Sequence, residues 1–282
     1  MPLLTQKEIL NLKLNCIPLP QLKILASKLE ITNKGSSAEI IKKILEIKQN
    51  NKESLDDFIN NFIKQVYAEK IQERRNIISD DDLKKELMKV KTFSWGAVQG
   101  QLDQKIQTEY VRRIVRYEDL LNSVKAKLHD DITNYAICTW FNHWTTVLIE
   151  DHISSHSKVI PTIKNVKGID IFFNNQPFDL KVTYLPRGYN PVDTITNPTK
   201  LAIWMYENQG AERFGDDNRL YVILLDKDNP EKSWELKRDF NLVFKKIDDF
   251  FDKETISKED EITFTYKNKT YVTIAKVLII TK

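Results

Sequence analysis

The side chains with the most chemistry to offer lie in one short segment, Val166-Lys167-Gly168-Ile169-Asp170-Ile171-Phe172-Phe173-Asn174-Asn175-Gln176-Pro177-Phe178-Asp179-Leu180-Lys181-Val182-Thr183. Two β-prone runs flank Asn174-Asn175-Gln176-Pro177, where Asn tolerates positive φ and Pro suits a turn, so the segment reads as a β-hairpin. Asp179 and Lys181 are two apart on one strand and project from the same face. A two-residue Asn174-Asn175 turn places Asp170 opposite Asp179, whereas a four-residue loop places Asp170 opposite Lys181. In either register two carboxylates and an ammonium meet on adjacent strands. Carboxylates that close repel unless a cation lies between them, and Mg²⁺ favours oxygen ligands. Mg²⁺ there would polarise a phosphoryl oxygen and acidify a bound water, while Lys181 orients that water or offsets developing charge. The outline is that of phosphodiester hydrolysis.

The spacing of Asp170 from Asp179-Leu180-Lys181 resembles the signature of the PD-(D/E)XK nuclease superfamily, whose fold is restriction-endonuclease-like. The resemblance implies Asp170 and Asp179 as acidic metal ligands, Leu180 as the source of a backbone carbonyl ligand and Lys181 as the catalytic lysine. Ile169 stands where the family motif has Pro. An acidic residue on the preceding helix is also implied; Glu150 is the better match and Asp151 the weaker. Mg²⁺ is the implied cofactor, with Mn²⁺ able to substitute. In some members a polar residue on the helix after the hairpin supports the site. Gln209 is the candidate, sharing a face with Arg213 if the helix survives Gly210.

The elements around the hairpin fit an α+β or α/β class with a mixed, partly antiparallel sheet. A helix over about 131–155 carries Phe141, Trp140 and Trp144, read as core, and leads to Glu150. Strand-like runs follow at Gly168–Phe173, Phe178–Leu185, Leu220–Leu225, Ile262–Tyr266 and Tyr271–Thr281, with helical patterns at Pro198–Phe214 and Trp234–Phe251 between them. Upstream, residues 54–130 show helical spacing almost throughout, with Ser54 as a helix cap and a break near Trp95. The polar run at 49–54 is the best linker. These shifts predict three regions: 1–50, 51–130 and 131–282.

The first region carries a Leu22, Leu25, Leu29 stripe, a turn containing Gly35, and a second helix with Ile40, Ile41, Ile44 and Leu45, which Ser36 or Ser37 can cap. This pattern, over about residues 18–48, resembles the SAP domain, a small helical DNA-binding module. The resemblance implies contact with phosphates around Lys34, Ser36, Lys42 and Lys43. Residues 1–50 hold 8 Lys against 4 Glu, a net of +4 in a chain whose total is +3. The basic end is therefore the N-terminal one.

Further DNA-contact candidates are Lys105, Arg112, Arg113 and Arg116, near one side of a predicted helix, and Arg187 and Tyr189 just after the second hairpin strand. His143, His152 and His156 lack zinc-site spacing, and with 7 Gly there is no phosphate-cradling loop, so no nucleotide cofactor is expected. Two distant cysteines among 282 residues argue for a reduced compartment, and the absence of a leader or a long apolar run argues against secretion or a membrane. The resemblances together imply a cytoplasmic, prokaryotic, Mg²⁺-dependent restriction-type endonuclease on double-stranded DNA, with a homodimer expected for cutting both strands. A structure-directed repair or recombination nuclease and a non-catalytic DNA-binding protein are the alternatives.

Overall fold

A computed structural model describes residues 3–32, 34–47, 55–93, 99–210 and 214–282; the 49–54 linker, the Ser54 cap, Trp95 and Arg213 lie outside these. The chain divides into two compact units, residues 1–77 with 150–282, and residues 78–149. This grouping follows spatial proximity, in contrast to the sequence-based boundaries at 50 and 130. Among the described residues no helix is long and apolar enough to cross a membrane.

The larger unit opens with helices α1 (Gln6–Asn15), α2 (Leu19–Lys28), α3 (Ser37–Leu45) and α4 (Leu55–Ile77). Ser36 caps α3: its hydroxyl accepts the Glu39 N–H, and the Glu39 carboxylate accepts the Ser36 N–H at 2.7 Å. Gly35 enters that cap at φ +121°, a conformation that favours glycine. Leu22, Leu25, Ile40, Ile41 and Ile44 bury their side chains against Leu55, Ile59, Phe62 and Ile63 of α4, with Ile160 and Ile163 packed on the same cluster. The N-terminal helices thus share a core with the sheet domain.

In the smaller unit, α5 (Asp80–Leu87), α6 (Gln99–Lys105) and α7 (Tyr117–Ser123) precede α8 (His129–Ser155), which runs on past the unit's end at Ile149. The continuous basic helix face expected there does not form. Wide helical turns occupy Ile106–Val111, the chain leaves the helix at Arg112-Arg113, and the next helix begins after Arg116, whose side chain makes no capping hydrogen bond. β-Branched Val111, Ile114 and Val115 fall in this stretch and weaken helix propagation. Lys105 pairs with Asp131 at 2.5 Å, leaving Arg112, Arg113 and Arg116 as separate exposed groups. Phe141 is fully buried as expected, but Trp140 is 39% exposed and so is not core.

Six strands form one sheet in the order β1-β2-β3-β4-β6-β5: β1 (Val159–Val166), β2 (Ile169–Phe173), β3 (Gln176–Tyr184), β4 (Arg219–Leu225), β5 (Glu261–Tyr266) and β6 (Lys269–Thr281). The first three are an antiparallel meander, β3, β4 and β6 run parallel, and β5 returns antiparallel on β6. This is the mixed sheet expected from the sequence. Every residue of β4 is buried, which is why its apolar run is continuous rather than alternating. Helices α9 (Pro191–Thr196) and α10 (Pro198–Glu207) make the β3–β4 crossover; α11 (Ser233–Leu236) and α12 (Phe240–Lys253) lie between β4 and β5.

Candidate functional site

The β2–β3 turn is Asn174-Asn175, with φ of +46° and +56°, the left-handed pair that a tight two-residue hairpin demands. The pairs Ile171↔Phe178, Phe172↔Pro177 and Phe173↔Gln176 follow, so of the two registers the one setting Asp170 opposite Asp179 is realised. The turn is held from outside the hairpin. Lys13 on α1, fully buried, reaches Asp56 Oδ1 at 2.8 Å and Asn175 Oδ1 at 3.3 Å. Gly168, at φ +77°, admits the chain into β2 where the Asp217 carboxylate leaves no room for a Cβ.

Asp170 Oδ2 accepts the Leu180 N–H across the hairpin at 2.8 Å. Asp179 receives a cation at each oxygen: Lys181 Nζ donates to Oδ1 at 2.7 Å, and Arg219 Nε to Oδ2 at 3.2 Å. Burial raises Asp170 above the usual carboxylate range and the Asp179 charge adds to this, while the Leu180 N–H opposes it. Asp170 still keeps an exposed edge, and the Lys181 side chain is 46% exposed. Solvent and a ligand can therefore reach the hairpin face.

Helix α8 supplies two adjacent carboxylates with opposite destinations. Asp151 faces α4, bound by Tyr67 Oη at 3.1 Å and Arg74 Nε at 3.2 Å, whereas Glu150 lies within electrostatic reach of Asp170, Lys237 and Lys181. Burial, reinforced by the Asp170 charge, pushes Glu150 up to about 7 from its ordinary 4.5. The folded state thus holds a proton that the unfolded chain has already released. The resulting stabilisation is complete below about 4.5 and vanishes as pH rises through about 7. Glu150→Gln should accordingly gain stability relative to wild type between pH 5 and 8, by at most about 3 kcal/mol given ~1.4 kcal/mol per unit. Melting temperatures of both proteins across that range check it; a constant difference would contradict the assignment.

Arg219 and Lys237 have no role in the sequence-based reading. Arg219, 7% exposed, also donates to Gln209 Oε1 at 3.0 Å and stands over the Tyr206 ring at 4.7 Å. A cation heading a fully apolar strand was its only signal. Lys237, 3% exposed, has its Nζ 5.7 Å from the Tyr184 ring and is lowered to about 8 by burial, which the Glu150 charge opposes. Gln209 does reach the site, through Arg219, but not from a helix: α10 stops at Glu207, so Gln209 lies in the connection beyond.

Lys34, Ser36, Lys42 and Lys43 are all exposed, away from the packed faces of α2 and α3. Arg187 is exposed beside Gly188, while the Tyr189 ring packs on Trp204 with centroids 5.5 Å apart, anchoring the loop after β3. His152, in the last turn of α8, and His156, just beyond it, pair with Asp248 and Asp252 of α12 at 2.8 and 3.3 Å.

Among the described residues no three His, Cys, Asp or Glu side chains gather into a metal-binding group. The local donor set is two adjoining carboxylates, Asp170 and Asp179, one of them disfavoured as an anion by burial and its neighbour. Oxygen-only donors in mutual repulsion suit a hard divalent cation, and Glu150 interacts electrostatically with Asp170. No family model matches the chain, and none of the curated proteins or solved structures matches it significantly.

Proposed function

We propose that the chain is a metal-dependent endonuclease that hydrolyses phosphodiester bonds of double-stranded DNA at the β2–β3 hairpin. The observation that carries this is the register that sets Asp170 opposite Asp179, with Lys181 bonded to Asp179 and half exposed on the same face. The surrounding order supports this reading: a helix bearing Glu150, strand β1, the antiparallel hairpin, helices α9 and α10, a strand parallel to β3, and helices α11 and α12. Asp170 and Asp179 would hold Mg²⁺ or Mn²⁺, with the Leu180 carbonyl as a further donor. Such an ion would polarise a phosphoryl oxygen and lower the pKa of a bound water. Lys181 Nζ would orient the attacking water or balance the charge that develops on the phosphoryl group, and Glu150, raised to about 7 by burial, would accept or retain a proton beside Asp170.

The exposed lysines of the N-terminal helices would supply DNA affinity without reading sequence. Replacing Lys34, Lys42 and Lys43 together by Gln should weaken duplex binding uniformly across sequences. The slope of log affinity against log salt should flatten by about 0.9 for each phosphate that a lysine no longer neutralises. Fluorescence anisotropy over a salt series checks this, and an unchanged slope would place the DNA elsewhere.

Digestion of a long, sequence-diverse DNA by the purified full chain, with Mg²⁺ and with EDTA, tests the activity. Mg²⁺-dependent products are expected. Discrete bands would make it a site-specific restriction-type enzyme and a smear a nonspecific or structure-directed one. Intact DNA in every lane would overturn the proposal.

A further inference from the structure

We infer that Arg219 is a positioning residue of this hairpin site, clamping Oδ2 of Asp179 so that Oδ1 is the oxygen presented to an incoming cation. The inference rests on the nuclease reading of the same carboxylates. Arg219 is the first residue of β4, paired in register with Asp179 of the parallel neighbour β3. Its guanidinium is sequestered, the side chain being 8% exposed, and its nitrogens are divided among fixed acceptors. Nε donates to Asp179 Oδ2 at 3.2 Å, Nη2 to Gln209 Oε1 at 3.0 Å and to the Gly215 carbonyl at 3.4 Å, and Nη1 to Tyr221 Oη at 3.4 Å.

Gln209 is itself clasped. Its Nε2 donates to the Gly215 carbonyl at 3.1 Å, and its Oε1 accepts the Gly215 N–H at 3.2 Å. Below the guanidinium, the Tyr206 ring closes the remaining face at 4.7 Å. A planar fork gripped at several points cannot pivot, so Asp179 has one rotamer and one oxygen committed. The other oxygen bonds Lys181, which is half exposed on a flexible stem. Lys181 can therefore yield Oδ1 to a metal and turn to the water or phosphate, while Arg219 stays in place. The two cations on Asp179 have different tasks: one is a permanent clamp, the other an exchangeable partner.

Variants that keep the Arg219 charge, or replace it with another cation, isolate orientation from electrostatics. Gln209→Leu removes the clasp, and Arg219→Lys keeps the charge but not the fork. Mn²⁺ binding to the full-length protein, followed by electron paramagnetic resonance without DNA, should weaken about tenfold in each, as is usual when a ligand's supporting hydrogen bonds are removed. Melting temperature should fall in both, since buried hydrogen-bonding groups lose their partners, so Mn²⁺ binding is read well below each variant's transition; in cleavage kcat should fall with KM unchanged. Asp179→Ala serves as the control that loses Mn²⁺ outright. If both variants bind Mn²⁺ like wild type while Asp179→Ala does not, the clamp is refuted and the metal site survives. If wild type itself takes up no Mn²⁺, the nuclease reading fails and the clamp with it. Should Gln209→Leu unfold, Arg219→Lys decides alone.

Discussion

Asp179→Asn should cut DNA about 10²- to 10³-fold more slowly than wild type while binding duplex with nearly unchanged affinity, because removing one preorganised electrostatic group from a reacting centre costs two to three orders of magnitude in rate. The substitution conserves shape and removes the charge that would share a cation with Asp170. It also turns the partner of Lys181 and Arg219 from an anion into a neutral amide, so both cations lose the group that fixes them. Asp170→Asn should behave alike in cutting and be milder in folding, since its carbonyl oxygen can still accept the Leu180 N–H. Single-turnover cleavage at saturating Mg²⁺, beside anisotropy with the same duplex, separates rate from binding. Wild-type rates in either variant would remove the hairpin from the chemistry.

Lys13→Met should destabilise the fold by roughly 3–5 kcal/mol, the usual consequence of breaking a buried ion pair from one side. The Lys13 side chain is fully buried, with Nζ at 2.8 and 3.1 Å from the two oxygens of Asp56, whose side chain is only 13% exposed. Without Lys13 that carboxylate remains in place with its cation gone, and the Asn175 amide at the hairpin tip loses its link to α1 and α4. Adding Asp56→Leu should recover much of the deficit, because a matched apolar pair avoids the desolvation that the ions incur. Urea denaturation of the single and double variants measures this. A double variant as unstable as the single one would show that Asn175, not Asp56, is the decisive partner.

Lys13 also marks a limit of reading charge from sequence. It counts toward the basic N-terminal balance, yet it is an internal strut, and nothing in its neighbours Leu12 and Leu14 announces that. The hairpin was legible because its signals are local: two Asn at the turn, apolar residues at alternate positions, and carboxylates nine apart. Strand β1 was not, because Pro161 speaks against a strand; as an edge strand it needs hydrogen bonds on one side only. The single helix expected over Trp234–Phe251 is two, since Asp239 caps α12 by accepting the Leu242 N–H at 3.3 Å. Likewise α10 ends before Gly210 rather than running to Phe214, and Gln209 turns back toward Arg219. That hydrogen bond joins a loop to a neighbouring parallel strand, and no periodicity in the sequence encodes it.

The most direct test of the central claim is the single-turnover cleavage rate of a duplex in Mg²⁺ for wild type beside Lys181→Ala, both at saturating protein. Lys181 is half exposed and bonds Asp179 at the surface of the hairpin, so its removal leaves the fold and the DNA-binding surface intact. The expected result is Mg²⁺-dependent cutting by wild type and a rate about 10²- to 10³-fold lower in the variant at equal DNA occupancy. Equal rates in the two proteins, or no cutting by wild type, would contradict a catalytic hairpin.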